Sequence, residues 1–315
     1  MFRLGIVCLL LGGLTACAIY ARQEARSRAM RAEMPLGARI GALTLTGAVE
    51  WRAARPDFGG FSGLELEPEG RFIALTDKAH WARARMVLDA DGHLTGIEGL
   101  EVGRLNGPDG ADLMAPYTDS EALSREADGA FLIGFEGKHR IGRFATLRAA
   151  EDRLPPLPGA DDLPRNGSFE SVLALPGGRI VALAEVAQDW AQGTPGWIID
   201  GARVTQFSLA KADWFAPTDL ALGPDGVWVY LLERRFTLIG GFAMRIGRFA
   251  LADLREGAVI EAQMLAEALG PPLAENYEGL AAARDAAGRT VLYALSDDNF
   301  SALQRTVLLQ FRLEQ

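Results

Sequence analysis

The residues best suited to chemistry in this chain are carboxylates that recur at a fixed interval. Five segments share one pattern: a polar or acidic residue, an apolar run, a glycine-containing turn, then a second apolar run ending in an acid. The segments start at Ser62, Glu121, Glu170, Asp219 and Glu278 and end at Asp77, Glu136, Glu185, Glu233 and Asp297. The two ends are 15 residues apart in the first three segments, 14 in the fourth and 19 in the fifth. Carboxylates brought together in this number suit a hard divalent cation such as Ca²⁺, which takes about six to eight oxygen ligands. Without a cation, two carboxylates about 6 Å apart repel by roughly 3 kcal/mol at an effective dielectric of 20. Such a cluster therefore needs cations, arginines or shared protons.

The elements that would position these acids are β-hairpins. The turns EPEG, EADG, PGG, GPDG and DAAG supply the Gly and Asp chemistry of tight turns. The returning runs RFIALT, AFLIGF, RIVALA, VWVYLL and TVLYALS are short, apolar and partly β-branched or aromatic, as buried strands are. Successive segments start 59, 49, 49 and 59 residues apart, which leaves room for two more strands after each hairpin. Four strands per repeat around an axis describe an all-β fold, a β-propeller with four-stranded blades. Five blades are expected, or six if the irregular stretch 145–165 holds another. The chain ends one strand short, and the alternating segment Ile40–Trp51 can supply that strand and close the ring.

A hairpin returns to the edge it left, so both columns fall on one face of the disc, with the starting column nearest the axis. Basic residues follow four of the five closing acids: Arg83 and Arg85; Lys138, His139, Arg140 and Arg143; Arg234, Arg235, Arg245 and Arg248; and Arg305. The third repeat has none there, which leaves Glu170 and Glu185 as the expected least-neutralised pair. Two readings follow. In one, every acid is tied into salt bridges or backbone caps. In the other, Glu121, Glu170, Glu185, Glu278 and Asp297 are candidate ligands for Ca²⁺ or another divalent cation. Arg140, Arg235 and Arg305 are then candidate contacts for a small anionic or ester substrate.

Composition narrows the classes. The chain has 315 residues, 49% hydrophobic and 23% charged, enough apolar material for a large core. A net charge of −9 argues against nucleic acid as the partner. Three histidines and two cysteines argue against a histidine metal site or a disulfide scaffold. There is no G-x-S-x-G, and Ser62 would need a histidine base, from His80 or His139, to act as a nucleophile. Asp89-Ala90-Asp91-Gly92 lacks the remaining ligands of an EF-hand loop and reads as a hairpin turn, while Asp297-Asp298-Asn299 reads equally as metal ligands or as a turn.

The N-terminus reads as an export signal. Leu4–Ile19 is almost wholly apolar after Arg3, a length that fits a secretory signal and is short for a membrane span. Leu14-Thr15-Ala16-Cys17 resembles a bacterial lipobox, with Cys17 as the lipidation site; a plain signal cleaved nearby and an uncleaved anchor are the alternatives. The expected organisation is a signal peptide at 1–16, a lipidated cysteine and solvated polar tether at 17–37, and the propeller at 38–315.

The strings PDFGGFSGLEL (56–66), SEALSREADGAFLIGFEGKHRIGRF (120–144), LLERRFTLIGGFAMRIGRF (231–249), NYEGLA (276–281) and LSDDNFSALQRTVLLQF (295–311) resemble the phytase-like proteins of bacteria, often labelled "esterase-like activity of phytase". That resemblance covers about 56–313. It implies a secreted propeller and hydrolysis of phosphoesters or other esters, with acid clusters that hold Ca²⁺ in the calcium-dependent propeller phytases. The function expected is therefore an envelope-anchored hydrolase on the periplasmic side of a bacterial envelope. The alternatives are a non-catalytic binding propeller of the same envelope, with its protein partner unknown, and a purely structural lipoprotein.

Overall fold

Each repeat becomes one blade. The computed structural model describes residues 25–185, 193–211 and 213–314; the expected signal peptide and Cys17 lie outside the described residues. Blade 1 comprises Phe61–Leu66, Arg71–Thr76, His80–Leu88 and Leu94–Arg104, all paired antiparallel in that order. Blade 2 comprises Ser120–Arg125, Phe131–Phe135, Arg140–Phe144 and Asp152–Arg153. Blade 3 comprises Phe169–Ala174, Ile180–Ala184, Thr194–Asp200 and Arg203–Leu209, with Val259–Ile260 added in parallel at its edge. Blade 4 comprises Ala216–Leu222, Trp228–Thr237, Gly241–Ala250 and Gln263–Leu269. Blade 5 comprises Asn276–Arg284, Thr290–Asp297 and Val307–Leu313, completed by Leu43–Arg52 from the other end of the chain.

The turns form for local reasons. In blades 2, 4 and 5 an aspartate Oδ1 accepts the backbone N–H two residues on, at 2.9 Å each: Asp128 from Ala130, Asp225 from Val227 and Asp285 from Ala287. This side chain mimics a turn and stops the strand. Blade 3 uses Gly177 and Gly178, both left-handed with φ of 83° and 80°, where a Cβ would be strained.

The ring holds five blades. The stretch 145–165 contributes the short fourth strand of blade 2 and a single turn at Ala160–Asp162 rather than a sixth blade. Five buried apolar clusters fill the fold, and each spans two neighbouring blades. Trp51 of the closing strand sits between blades 5 and 1, stacked on Phe61 and edge-on to Phe58 and Phe72. The closing strand is thus fixed both by its ladder to Val307–Leu313 and by aromatic packing on blade 1.

The folded part begins earlier than 38. Arg26–Ala29 pairs antiparallel with Leu43–Arg52 as an extra edge strand, where a solvated tether was expected. Met30 and Met34, at 0% and 4% exposure, enter the cluster between blades 4 and 5. The arginines of this segment pair with acids: Arg28 with Glu33 and Glu50, and Glu33 in turn with Arg305. Charge patterning concealed this because two buried methionines, not the charged majority, decide where the segment sits. Met30→Ala is expected to cost about 2–5 kcal/mol, as core truncations do. Urea unfolding checks this, and a loss under about 0.5 kcal/mol, the range of surface substitutions, would return the segment to a spacer.

Candidate active site

In every blade the innermost strand carries a β-bulge near its start. The pairing skips one residue: Ser62, Glu121, Glu170, Thr218 and Glu278 in blades 1 to 5. A bulge leaves its residue outside the ladder and turns the side chain away from the regular alternation. On the second strand, the residue just past the partner of the pre-bulge residue is Asp77, Glu136, Glu185, Arg234 and Asp297 in the same order. Both columns lie at one mouth of the ring.

This register corrects the expected columns in blade 4. Asp219 and Glu233 are the acids visible in sequence, but the positions equivalent to the other blades hold Thr218 and Arg234. Asp219 is buried and accepts backbone N–H bonds from Leu220 at 2.8 Å and from Leu280 of blade 5 at 2.7 Å. Glu233 faces Arg245 and Glu267, and burial pushes its carboxyl up to about 7. The mouth therefore carries seven carboxylates with one arginine among them, rather than nine carboxylates.

Arg234 is the counter-ion. It donates to Glu185 at 3.1 Å and to the Asn276 side chain at 3.0 Å, and lies 3.5 Å from Glu278. Asn276 also donates to Glu278 at 2.7 Å and to Asp297 at 3.3 Å. Glu185 is thus neutralised by the neighbouring blade, contrary to the expectation for the third repeat. The side chain of Glu170, beside it, has no hydrogen bond among the described residues, while its backbone N–H donates to the Ser168 carbonyl.

One arginine does not balance the rest. Burial, then the charge of Glu278, raises the Glu121 carboxyl well above the usual range. Burial and the Glu185 charge do the same to Glu170. Burial also raises Glu185 and Glu278 against the pull of Arg234. Asp297 is pushed up by burial and by Glu278 to about 8. Asp77 is pushed up by burial to about 6, and its buried Oδ1 has no partner among the described residues. Burial thus disfavours full ionisation of the mouth acids.

Asp119, Glu121 and Glu136 each offer a carboxylate oxygen, and these three oxygens lie within 4.8 Å of one another. Of this trio, only Glu121 belongs to the sequence-derived metal set. Asp119 stands just before the strand, two residues from the bulged Glu121. Glu136 also accepts the backbone N–H groups of Gly167 and Ser168, which ties blade 2 to blade 3. Beside the trio opens a cleft of about 660 Å³ lined by Asp77, Asp119, Lys78, Lys138 and Arg165. Through Gly137, Lys138 and Arg165 it adjoins a second cleft of about 710 Å³, lined by Tyr117, Arg140, Arg153 and the run Leu154–Leu157.

The candidate substrate arginines are otherwise engaged. Arg140 donates to the buried Glu151 at 2.6 Å and to the Tyr117 carbonyl at 2.7 Å, and lies over the Phe135 ring. Arg305 is held by Glu275 at 2.5 Å. Arg235 donates to the Asp213 carbonyl at 3.1 Å. The cations that line the acid-side cleft are instead Lys78, Lys138 and Arg165. Ser62 is buried and donates to the Ser120 carbonyl at 2.7 Å, so it ties blade 1 to blade 2 and is no nucleophile. Asp298 accepts the N–H groups of Gly60 and Phe300 at 3.0 Å, and Asp297 accepts that of Asn299 at 2.7 Å. Residues 297–300 thus form a turn that also joins blade 5 to blade 1. A second acid group, Asp89, Asp91 and His93, sits at a hairpin turn where Asp89 accepts the Asp91 and His93 N–H groups.

These features define a five-bladed propeller with an acidic mouth and a cation-lined cleft beside it. The chain belongs to the phytase-like family described as "esterase-like activity of phytase", whose pattern it matches over residues 56–300. Among curated proteins none matches it in sequence. Solved structures of similar shape include virginiamycin B lyase from Staphylococcus aureus, at 13% identity and a TM-score of 0.41, over 86% of this chain and 99% of that one. A luciferin-regenerating enzyme overlays with a TM-score of 0.44 at 10% identity, over 82% of this chain and 95% of that one.

Proposed function

We propose that the protein is a metal-assisted hydrolase of anionic esters, phosphoesters foremost, acting at the acidic mouth. The observation that carries this reading is the pairing of an acid cluster with a cationic cleft. Asp119, Glu121 and Glu136 present converging oxygens, while Lys78, Lys138 and Arg165 line the space next to them. The residues fit a hard divalent cation such as Ca²⁺: the donors are all carboxylate, and the excess of buried acid over Arg234 lacks a compensating charge. A bound cation supplies Lewis acidity toward an ester oxygen and charge for a developing anion.

The chain's own residues do the rest. Lys78, Lys138 and Arg165 would hold the substrate's anionic group and turn its ester linkage toward the acids. Arg234, in contact with both, holds Glu185 and Glu278 in place. Asp77, which lines the same cleft, is placed to accept a proton from an attacking water. The envelope anchor through Cys17 and the periplasmic location remain part of this proposal, resting on the apolar segment Leu4–Ile19 and the lipobox-like string.

The test is hydrolysis by the full chain of phosphomonoesters, phytate and carboxylic esters, with Ca²⁺ and with chelator. Turnover that needs the cation is expected, falling at least about 100-fold in Glu121→Gln, as losses of charge-stabilising groups do. No turnover on any substrate, together with no thermal shift on adding Ca²⁺, would leave a binding propeller as the reading.

A further inference from the structure

The four most exposed large apolar side chains among the described residues are Ile239, Leu238, Leu303 and Trp214, at 102%, 96%, 95% and 79%. All four lie on the mouth face. Leu238 and Ile239 tip the hairpin between Trp228–Thr237 and Gly241–Ala250. That strand continues three residues past Arg234, about 10 Å at the rise of a strand, so the tip stands proud of the acids. Leu303 occupies the equivalent connection of blade 5, between Thr290–Asp297 and Val307–Leu313. Trp214 lies in the connection from blade 3 to blade 4, where the Asp213 carbonyl accepts from Arg235 at the base of the hairpin. Phe236 and Leu269, 55% and 63% exposed, extend the apolar surface there. A protruding apolar surface of this kind marks a docking site.

A second observation says what covers it. The chain enters the fold on the same face. Arg26 pairs with Arg52, and the neighbouring Glu50 pairs with Val307, the first residue after the mouth-side turn of blade 5. The apolar segment Leu4–Ile19 is therefore joined to the mouth rim. From Cys17, the expected lipid anchor, to Ala25 the chain can reach at most about 29 Å, and from Ile19, were the segment uncleaved, about 22 Å. Whichever anchor holds it, the link leaves from the mouth rim, so the mouth face is the one it keeps nearest the bilayer. The exposed Arg26 at the entry suits lipid phosphates, and tryptophan is favoured at a bilayer interface.

We propose that the mouth face rests on a lipid bilayer, with Leu238, Ile239, Trp214 and Leu303 seated in its interfacial layer. The proposal rests on the reading of the N-terminus as a membrane anchor and is independent of whether the mouth is catalytic. The acid-side cleft then opens toward the lipid surface rather than toward bulk solvent.

The full chain, carrying Trp190→Phe so that this tryptophan outside the described residues does not report, is reconstituted into phosphatidylcholine–phosphatidylglycerol vesicles whose acyl chains are brominated near the headgroup. Quenching of tryptophan emission is expected, lost in Trp214→Phe and lost in Leu238→Asp/Ile239→Asp, while both variants still float with the vesicles. The substituted tip residues are exposed, so folding is preserved and circular dichroism confirms it. Protein that floats with the vesicles but shows no quenching would overturn the docked face and leave the anchor intact. Protein that does not float would overturn the anchor and the proposal together. Trp214 shielded from acrylamide without lipid, increasingly so with protein concentration, would assign the patch to a second copy of the chain and also overturn it.

Discussion

Arg234→Gln is expected to lose about 3 kcal/mol of folding stability at neutral pH in chelator, one of the largest single-site effects in the molecule. The guanidinium touches Glu185 and Glu278 and orders Asn276, which itself donates to Glu278 and Asp297. Removing one partner of a buried pair leaves the other charge unmatched, at a cost of about 3–5 kcal/mol. The lower end applies because Arg234 and Glu185 keep side-chain exposures of 26% and 18%. Reversible urea unfolding measures it. The double variant Arg234→Gln/Glu278→Gln should recover part of the loss, since it removes an orphaned acid along with its partner. A loss below about 1 kcal/mol, the range of exposed pairs, would mean that the acids are protonated rather than paired, and Arg234 would cease to be the mouth's counter-ion.

Without divalent cations, the protein should be more stable at pH 5 than at pH 8. Asp77 is pushed up to about 6 and Asp297 to about 8, in both by burial first, and Glu121, Glu170, Glu185 and Glu278 move the same way. A carboxyl whose pKa rises on folding binds more protons in the folded state than in the unfolded one. Stability then falls as pH climbs from the ordinary carboxylate range through the raised values. A tenfold weakening of a carboxyl's acidity on folding is worth about 1.4 kcal/mol, so the mouth acids together contribute several kcal/mol across this window. Carboxyls lowered on folding, such as Asp57 beside Arg55 and Asp128 at its turn, titrate below that range and do not offset the slope.

Calcium should flatten this profile. A ligand that binds only the folded state at about 100 times its Kd adds about 2.7 kcal/mol, and ionised carboxylates bind it best. Thermal melts at pH 5 and pH 8, each with chelator and with Ca²⁺, decide the matter. A larger rise in Tm at pH 8 than at pH 5 is expected. Equal rises, or none, would remove the cation from the mouth. Glu121→Gln should shrink both the chelator-dependent pH slope and the response to Ca²⁺.

Much of the fold was legible because its signals are local. The five glycine or aspartate turns and the short apolar runs between them need no partner to be recognised, and their repetition forces a ring. The closing strand was legible too, since a last blade one strand short must borrow its edge from elsewhere in the chain. The extra strand Arg26–Ala29 was hidden because its sequence is mostly charged, and only the pocket between blades 4 and 5 gives Met30 and Met34 somewhere to go.

By itself the sequence determined that acids would gather at one mouth. Hairpin topology returns each chain segment to the edge it left, whatever its neighbours do. What the tertiary structure decided was which acids and which cations meet. In blade 4 the bulge falls on Thr218 rather than Asp219, and that one-residue offset turns Asp219 onto the Leu280 N–H and brings Arg234 into the mouth. A strand's side chains alternate faces, so a single skipped residue exchanges an acid for a base. Spacing counted along the chain cannot see where the ladder skips; only the packing of blade against blade fixes it.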